Sequence, residues 1–318
     1  MPLPRITSIL RSVISIALIV ILIKMTDTKA FANALRQTDV LLFIIALAIS
    51  AVSILIRSYK WKVLLTVQGA ALPLKRVHTI TYMALFFNNF FLGSLGGDAF
   101  RIHKTSYHST QKSGSASAVI MDRFTGVLIL VFIVTFSAIG ASMTDNCIIS
   151  VEQLFPIAGI GLAVLIFSST IFFGLSKIAA IVSNLRETRL RSITLNVVAN
   201  LSAYKYHKKS VINSLILSFA FYLSSIISMF FWSLAANVYV HLIHWAFIVP
   251  LVAFLIMVPI SVNGLGVQEG TFFLYLEKLG VDSSSALLIA LLPRIGTLIF
   301  SLVGGLLYIL ESSKKNIE

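Results

Sequence analysis

Apolar runs with few or no charges recur along the chain. Each predicts a helix, because about 20 apolar residues at helical rise cross the hydrocarbon core of a bilayer. Residues 12–23 form a short run behind Arg5 and Arg11, and 40–56, 124–143 and 153–176 are clean runs. Another lies within 210–240, and 283–310 is apolar except for Arg294. Two further runs are interrupted: 79–97 by Asn88, Asn89, Gly93, Gly96 and Gly97, and 245–268 by Pro250, Pro259, Asn263, Gly264 and Gly266. The pattern predicts an all-α polytopic membrane protein, with about six full spans and two re-entrant glycine-rich hairpins. The whole chain, 1–318, is read as a single integral membrane domain. The first run, followed by Ala30, Ala32 and Ala34, also fits a cleaved signal peptide, but polytopic chains usually keep such a run as an anchor.

Composition agrees. Hydrophobic residues make up 58% of the chain and charged residues 12%, where a soluble domain has roughly 25% charged. The net charge of +13 is not read as nucleic-acid binding, because the basic residues sit beside apolar runs as positive-inside topology requires. A single cysteine, Cys147, excludes an intramolecular disulfide and a cysteine metal cluster. The histidines, His241 and His244 included, have no metal-ligand spacing, and no Walker loop or GxSxG elbow occurs. No metal or cofactor is expected.

Loop charge sets orientation. Residues 177–209 carry Lys177, Arg186, Arg189, Arg191, Lys205, Lys208 and Lys209 against Glu187, which predicts a cytoplasmic segment, partly an amphipathic helix on anionic headgroups. The loop 144–152 holds Asp145 and Glu152 with no base and is read as external. The first loop, also expected outside, departs from the rule with Lys24, Lys29 and Arg36 against Asp27 and Asp39. Both 57–76 and 101–112 are basic, yet 79–97 lies between them. A hairpin that enters and leaves on the cytoplasmic side resolves this conflict, provided its irregular tip is buried in protein or lines a wet cavity. The expected location is the cell (inner) membrane.

The two glycine-rich segments also share a register. An offset of 171 pairs Gly93 with Gly264, Asp98 with Glu269 and Arg123 with Arg294, and lays 40–56 on 211–227. From Asp98 to Arg123 is 25 positions, and from Glu269 to Arg294 is 25 again. Loop charges make the first copy (about 40–143) enter from outside and the second (about 211–311) from inside. That is an inverted repeat, the pattern of transporters whose site lies between the halves at the midplane.

Charges near membrane depth are the candidate site. Asp98, Arg101, Asp122, Arg123, Glu269 and Arg294 flank or interrupt apolar runs. At about 3 kcal/mol each, four facing lipid would cost on the order of 12 kcal/mol, so they must pair or line a wet cavity. Gly96 and Gly97 before Asp98, and Gly264 and Gly266 before Glu269, allow backbone N–H groups to converge as anion nests. Asn89 and Asn263 accompany them.

At these residues the chain resembles the transmembrane region of the lysyl-phosphatidylglycerol synthase family, a flippase-type domain. The resemblance covers most of the chain. It rests on Arg57-Ser-Tyr-Lys-Trp61, Asn88-Asn-Phe-Phe-Leu, Gly96-Gly-Asp-Ala-Phe-Arg101 and Asp122-Arg-Phe-Thr-Gly126. Further on it rests on Pro259-Ile-Ser-Val-Asn-Gly-Leu-Gly-Val-Gln-Glu269, and on Arg294 with Gly304-Gly-Leu-Leu-Tyr308. Gly93-Ser94 departs from it, since members often carry proline after Phe-Leu. No aminoacyl-transferase domain follows residue 318 in this sequence, so synthase activity is not implied.

The resemblance implies an amphipathic lipid substrate. The expected function is translocation of a phosphate-bearing lipid, such as a phospholipid or a polyprenyl-phosphate-linked species. Arg101, Arg123 and Arg294 would neutralise phosphate, the two nests would bind it, and Asp98 and Glu269 would hold the arginines or exchange protons. The alternatives are an integral-membrane enzyme using midplane carboxylates as acid and base, and an accessory subunit docking a glycosyltransferase or lipid-modifying enzyme on 177–209. The expected partners are membrane lipids and such an enzyme, not nucleic acid.

Overall fold

The computed structural model describes residues 3–90, 94–106, 112–142, 174–184, 188–257 and 261–315, with isolated positions between 107 and 111 and between 159 and 170. Every regular element among the described residues is a helix. In chain order they form α1 (Leu3–Lys24), α2 (Thr28–Arg36), α3 (Val40–Val67), α4 (Leu74–Phe90), α5 (Ser94–Ser106), α6 (Lys112–Ser142), α7 (Leu175–Ser183) and α8 (Arg189–Ala203). Then follow α9 (Lys208–Ala235), α10 (Leu242–Leu255), a single 3₁₀ turn (Val262–Gly264), α11 (Val267–Lys278) and α12 (Ser283–Lys315).

Four of these are long and apolar enough to cross a bilayer, over Val40–Val67, Ser113–Gly140, Lys208–Ala235 and Ser283–Ser313. Their outer faces are apolar and exposed, as with Val40, Leu41 and Ile44 on α3 or Leu302, Leu306 and Ile309 on α12. In water such stripes would be unpartnered; in lipid they are solvated. The protein is a multi-pass membrane protein. The sequence counted two spans more. The run 12–23 falls in α1, whose apolar stretch Val13–Leu22 is short, and 153–176 lies mostly outside the described residues, as do Cys147 and its loop.

The helices of the two interrupted runs are too short to cross. They have 17 and 13 residues in α4 and α5, and 14 and 12 in α10 and α11, each less than the roughly 20 needed. They pair as helical hairpins. The feet of the first meet one carboxylate: Arg76 on α4 donates twice to Glu311, at 2.9 and 2.8 Å, and Lys104 on α5 donates to it at 2.7 Å. The feet of the second meet at His244 Nδ1 and Tyr275 Oη, 3.2 Å apart. Glu311 belongs to the end of α12, whereas α11 leads into its start, where the Ser283 hydroxyl donates to Glu277 at 2.6 Å. The hairpins therefore approach α12 from opposite ends.

α3 and α9 pack along their length, antiparallel. Ser50 and Ser228 hydroxyls lie 2.7 Å apart, as do those of Ser53 and Ser224, and Asp39 N–H reaches the Ala235 carbonyl at 2.8 Å. Small hydroxyl side chains let helices approach while satisfying their own polar atoms. Close approach recurs where α12 crosses α4. A Cβ on Gly304 would collide with the Tyr82 carbonyl, and one on Gly305 would lie 2.8 Å from the Phe86 ring. One apolar cluster surrounds Trp232, Trp245 and Phe273, and a second surrounds Trp61, Leu64, Met83 and Tyr204.

Candidate functional site

Three helices deliver charge to one place. α5 carries Asp98 and Arg101 one turn apart, α6 carries Asp122 and Arg123, and α3 contributes Lys60. Arg101 bonds Asp98 through Nη2 and Asp122 through Nη1, the latter at 3.2 Å. Lys60 Nζ lies 2.9 Å from Asp122 Oδ1 and donates to the Asp122 carbonyl at 2.7 Å. Arg123 Nε donates to Asp98 Oδ2 at 2.6 Å. The Arg101 guanidinium also stands 4.9 Å from the centre of the Trp61 ring, a cation–π contact. Each carboxylate thus receives two cations, the condition under which buried charge is tolerated.

The second cluster is smaller. Glu269, fully buried in the first turn of α11, accepts the Gly266 N–H at 2.7 Å and Arg294 Nε at 2.7 Å. Arg294 also reaches the Asn263 carbonyl at 3.3 Å and Gln268 Oε1 at 3.4 Å. The turn before α11 needs positive φ at Asn263, Gly264 and Gly266. A Cβ on Gly266 would also meet Leu18 Cβ at 2.5 Å, and one on Gly264 would meet Ile256 Cγ2 at 2.6 Å. Glycine is required there on both counts. α1 seals this turn, because Ser15 accepts the Val262 N–H at 3.0 Å.

The pairings expected from the 25-residue spacing, Asp98 with Arg123 and Glu269 with Arg294, are both present. The two hairpins are joined as well: Asn263 Nδ2 donates to Asn89 Oδ1, linking the turn before α11 to the end of α4.

Between the clusters lies a cavity of two chambers. One, of about 240 Å³, is lined by Arg57, Lys60, Asn88, Asp122, Arg123 and Asn263 among others. The other, of about 320 Å³, has Leu85, Trp232, Phe272 and Phe300 in its wall, together with hydroxyls such as those of Ser50, Ser53, Thr81 and Ser225. Arg57, Phe221, Ala253 and Ile256 line both.

Of the residues singled out from the sequence, Asp122, Arg123 and Asn263 face this cavity, with Asp98 and Arg101 held behind them. Glu269 and Arg294 stand beside the second chamber, where Gln268 and Pro293 form wall. Gly96 is buried in α5.

Two of the N–H groups expected in the anion nests already have side-chain partners. Gly97 N–H donates to Asn88 Oδ1 at 2.8 Å and Gly266 N–H to Glu269, so both groups are already committed to side chains. A Cβ at Gly97 would collide with the Ala84 carbonyl, so this glycine serves the close packing of α5 on α4.

Arg57 and Lys60 were not among the candidates. The signal was present: Arg57, Lys60, Trp61 and Leu64 recur at the spacing of one helix face.

Residues 8–305, nearly the whole chain, match the family described as the lysylphosphatidylglycerol synthase TM region. No curated protein matches the chain.

Proposed function

The chain belongs to the lysylphosphatidylglycerol synthase transmembrane-region family, and from that premise we propose that it translocates a phosphate-bearing amphipathic lipid between leaflets. One observation carries the reading. A chamber bordered by Arg57, Lys60 and Arg123 adjoins a second one walled by Leu85, Trp232, Phe272 and Phe300, and the two share Arg57, Phe221, Ala253 and Ile256. An amphipathic ligand needs that adjacency, with charge and hydroxyl groups for its head beside hydrocarbon for the start of its tails.

In this reading the two hairpins are re-entrant and the halves are an inverted repeat. Support comes from feet that gather at opposite ends of α12, and from tips linked through Asn89 and Asn263. It also comes from α3 and α9, antiparallel partners in contact at residues 171 apart. The irregular turn before α11 then lines a cavity at Asn263, the setting in which membranes tolerate such backbone. Translocation fits better than enzymatic acid–base chemistry, because Asp98, Asp122 and Glu269 are each locked to cations.

The test is reconstitution of the protein alone in liposomes that hold a fluorescent phospholipid with a phosphate headgroup. Dithionite should bleach label beyond the outer-leaflet fraction, at a rate that rises with protein. Bleaching equal to that of protein-free liposomes would refute translocation.

A further inference from the structure

The polar chamber holds more positive charge than the described carboxylates beside it carry negative charge. Four cations converge there: Arg57, Lys60, Arg101 and Arg123. Two carboxylates answer them, Asp98 and Asp122, and both are already shared among Lys60, Arg101 and Arg123. Among the described residues no ion pair or hydrogen bond engages Arg57. It stands within electrostatic reach of Arg101, Arg123, Asp98 and Asp122 and faces both chambers.

No other described carboxylate is free to serve it. Asp27, Asp39 and Asp282 accept backbone N–H groups where α2, α3 and α12 begin. Glu277 holds Ser283, Glu269 holds Arg294, and Glu311 holds Arg76 and Lys104. A cation far along a membrane helix is costly unless something compensates it. Asp98 and Asp122 act on Arg57 only at a distance, which leaves its guanidinium fork open to an anion in the cavity.

Resting on the translocation reading, we infer that the headgroup taken by this site ends in a phosphate, as a phosphomonoester or a diphosphate. Four formal positive charges against two negative leave a net +2 around the chamber. A terminal phosphate carries about −1.5 to −2 at neutral pH and offers three acceptor oxygens. It can take the planar fork of Arg57, with Lys60 and Arg123 adding positive charge from the same wall. A phosphodiester carries a single charge and leaves the site one cation in excess, and a zwitterionic headgroup brings a like charge into it. Arg57, at the wall shared by the chambers, marks where phosphate ends and tail begins.

The second cluster has no such excess, because Glu269 and Arg294 balance one another. Terminal phosphate is therefore recognised on the side of α3, α5 and α6.

The experiment measures binding to the full chain in a non-ionic detergent, by native mass spectrometry and by thermal unfolding. The probes are dioleoyl phosphatidic acid, dioleoyl phosphatidylglycerol, dioleoyl phosphatidylcholine and glycerol 3-phosphate. Phosphatidic acid is expected to bind about tenfold or more tighter than phosphatidylglycerol, with phosphatidylcholine and glycerol 3-phosphate weaker still. Arg57→Gln should bring phosphatidic acid down to the level of phosphatidylglycerol. Without lipid this variant should unfold at the wild-type temperature or above, since it removes an uncompensated cation.

Equal binding of phosphatidic acid and either other phospholipid by the wild-type protein would overturn the inference, even if the variant does not fold. Undiminished binding by folded Arg57→Gln would do the same. Glycerol 3-phosphate binding as tightly as phosphatidic acid would contradict a lipid ligand. Binding is read without transport, so inactive liposomes would refute translocation while leaving this selectivity standing, and the reverse outcome would separate them equally.

Discussion

The hydroxyls of Ser53 and Ser224 lie 2.7 Å apart although 171 residues separate them, the same offset that relates Asp98 to Glu269 and Arg123 to Arg294. Residues related by a two-fold axis touch each other only on that axis. α3 and α9 touch at such a pair and run antiparallel, the contact that the proposed inverted repeat with an in-plane axis calls for.

That contact is directly testable. In a Cys147→Ser background, Ser53→Cys with Ser224→Cys should cross-link within one chain on mild oxidation. The bridge should appear as a mobility change reversed by reductant. Failure to form it, with both thiols reactive to small reagents, would place the helices elsewhere.

The two acid–arginine pairs should differ in cost. Glu269 is fully buried and Arg294 is its one cation among the described residues, whereas Asp98 keeps Arg101 if Arg123 is lost. Arg294→Gln strands a buried carboxylate at about 3–5 kcal/mol. The Arg123 side chain is 37% exposed, so Arg123→Gln should cost about 1 kcal/mol or less. Thermal unfolding in detergent should rank them accordingly; equal losses would mean that the pairs are equally wet.

Glu269→Gln and Arg294→Lys separate structure from function in that pair. Arg294→Lys keeps the charge but loses the fork, and Glu269→Gln keeps the shape but loses the charge. At least one should be monodisperse in detergent yet inactive in translocation. Full activity in both, or activity lost only in step with protein level, would make the pair structural.

How much of this was legible follows from where the charges stand. Asp98, Arg123, Glu269 and Arg294 interrupt apolar runs, and lipid makes an isolated charge so costly that a partner can be inferred, with spacing supplying the register. Arg57 and Lys60 were hidden because they follow the uncharged run 40–56 and read as a juxtamembrane basic loop. The structure continues α3 unbroken to Val67, a 28-residue helix that carries them on past that run. Charge sign alone cannot tell a loop from a helix that keeps going. The glycines misled differently: sequence shows that a backbone can approach closely, but not that Asn88 and Glu269 have already taken the N–H groups.

Orientation is the next prediction. A membrane-impermeant maleimide applied to intact spheroplasts should label Cys147, and should label Ser192→Cys in α8 only after lysis. The opposite pattern would invert every loop and place the basic segment 177–209 outside.

The most direct test of the central claim, that lipid crosses through the two-chambered cavity, uses its shared wall. Ala253 lines both chambers. In Cys147→Ser liposomes, Ala253→Cys should translocate labelled phospholipid until a bulky methanethiosulfonate reagent occupies the junction, and again after dithiothreitol removes it. The account predicts flux falling to the protein-free level and returning. Unchanged flux with the thiol fully modified would contradict it.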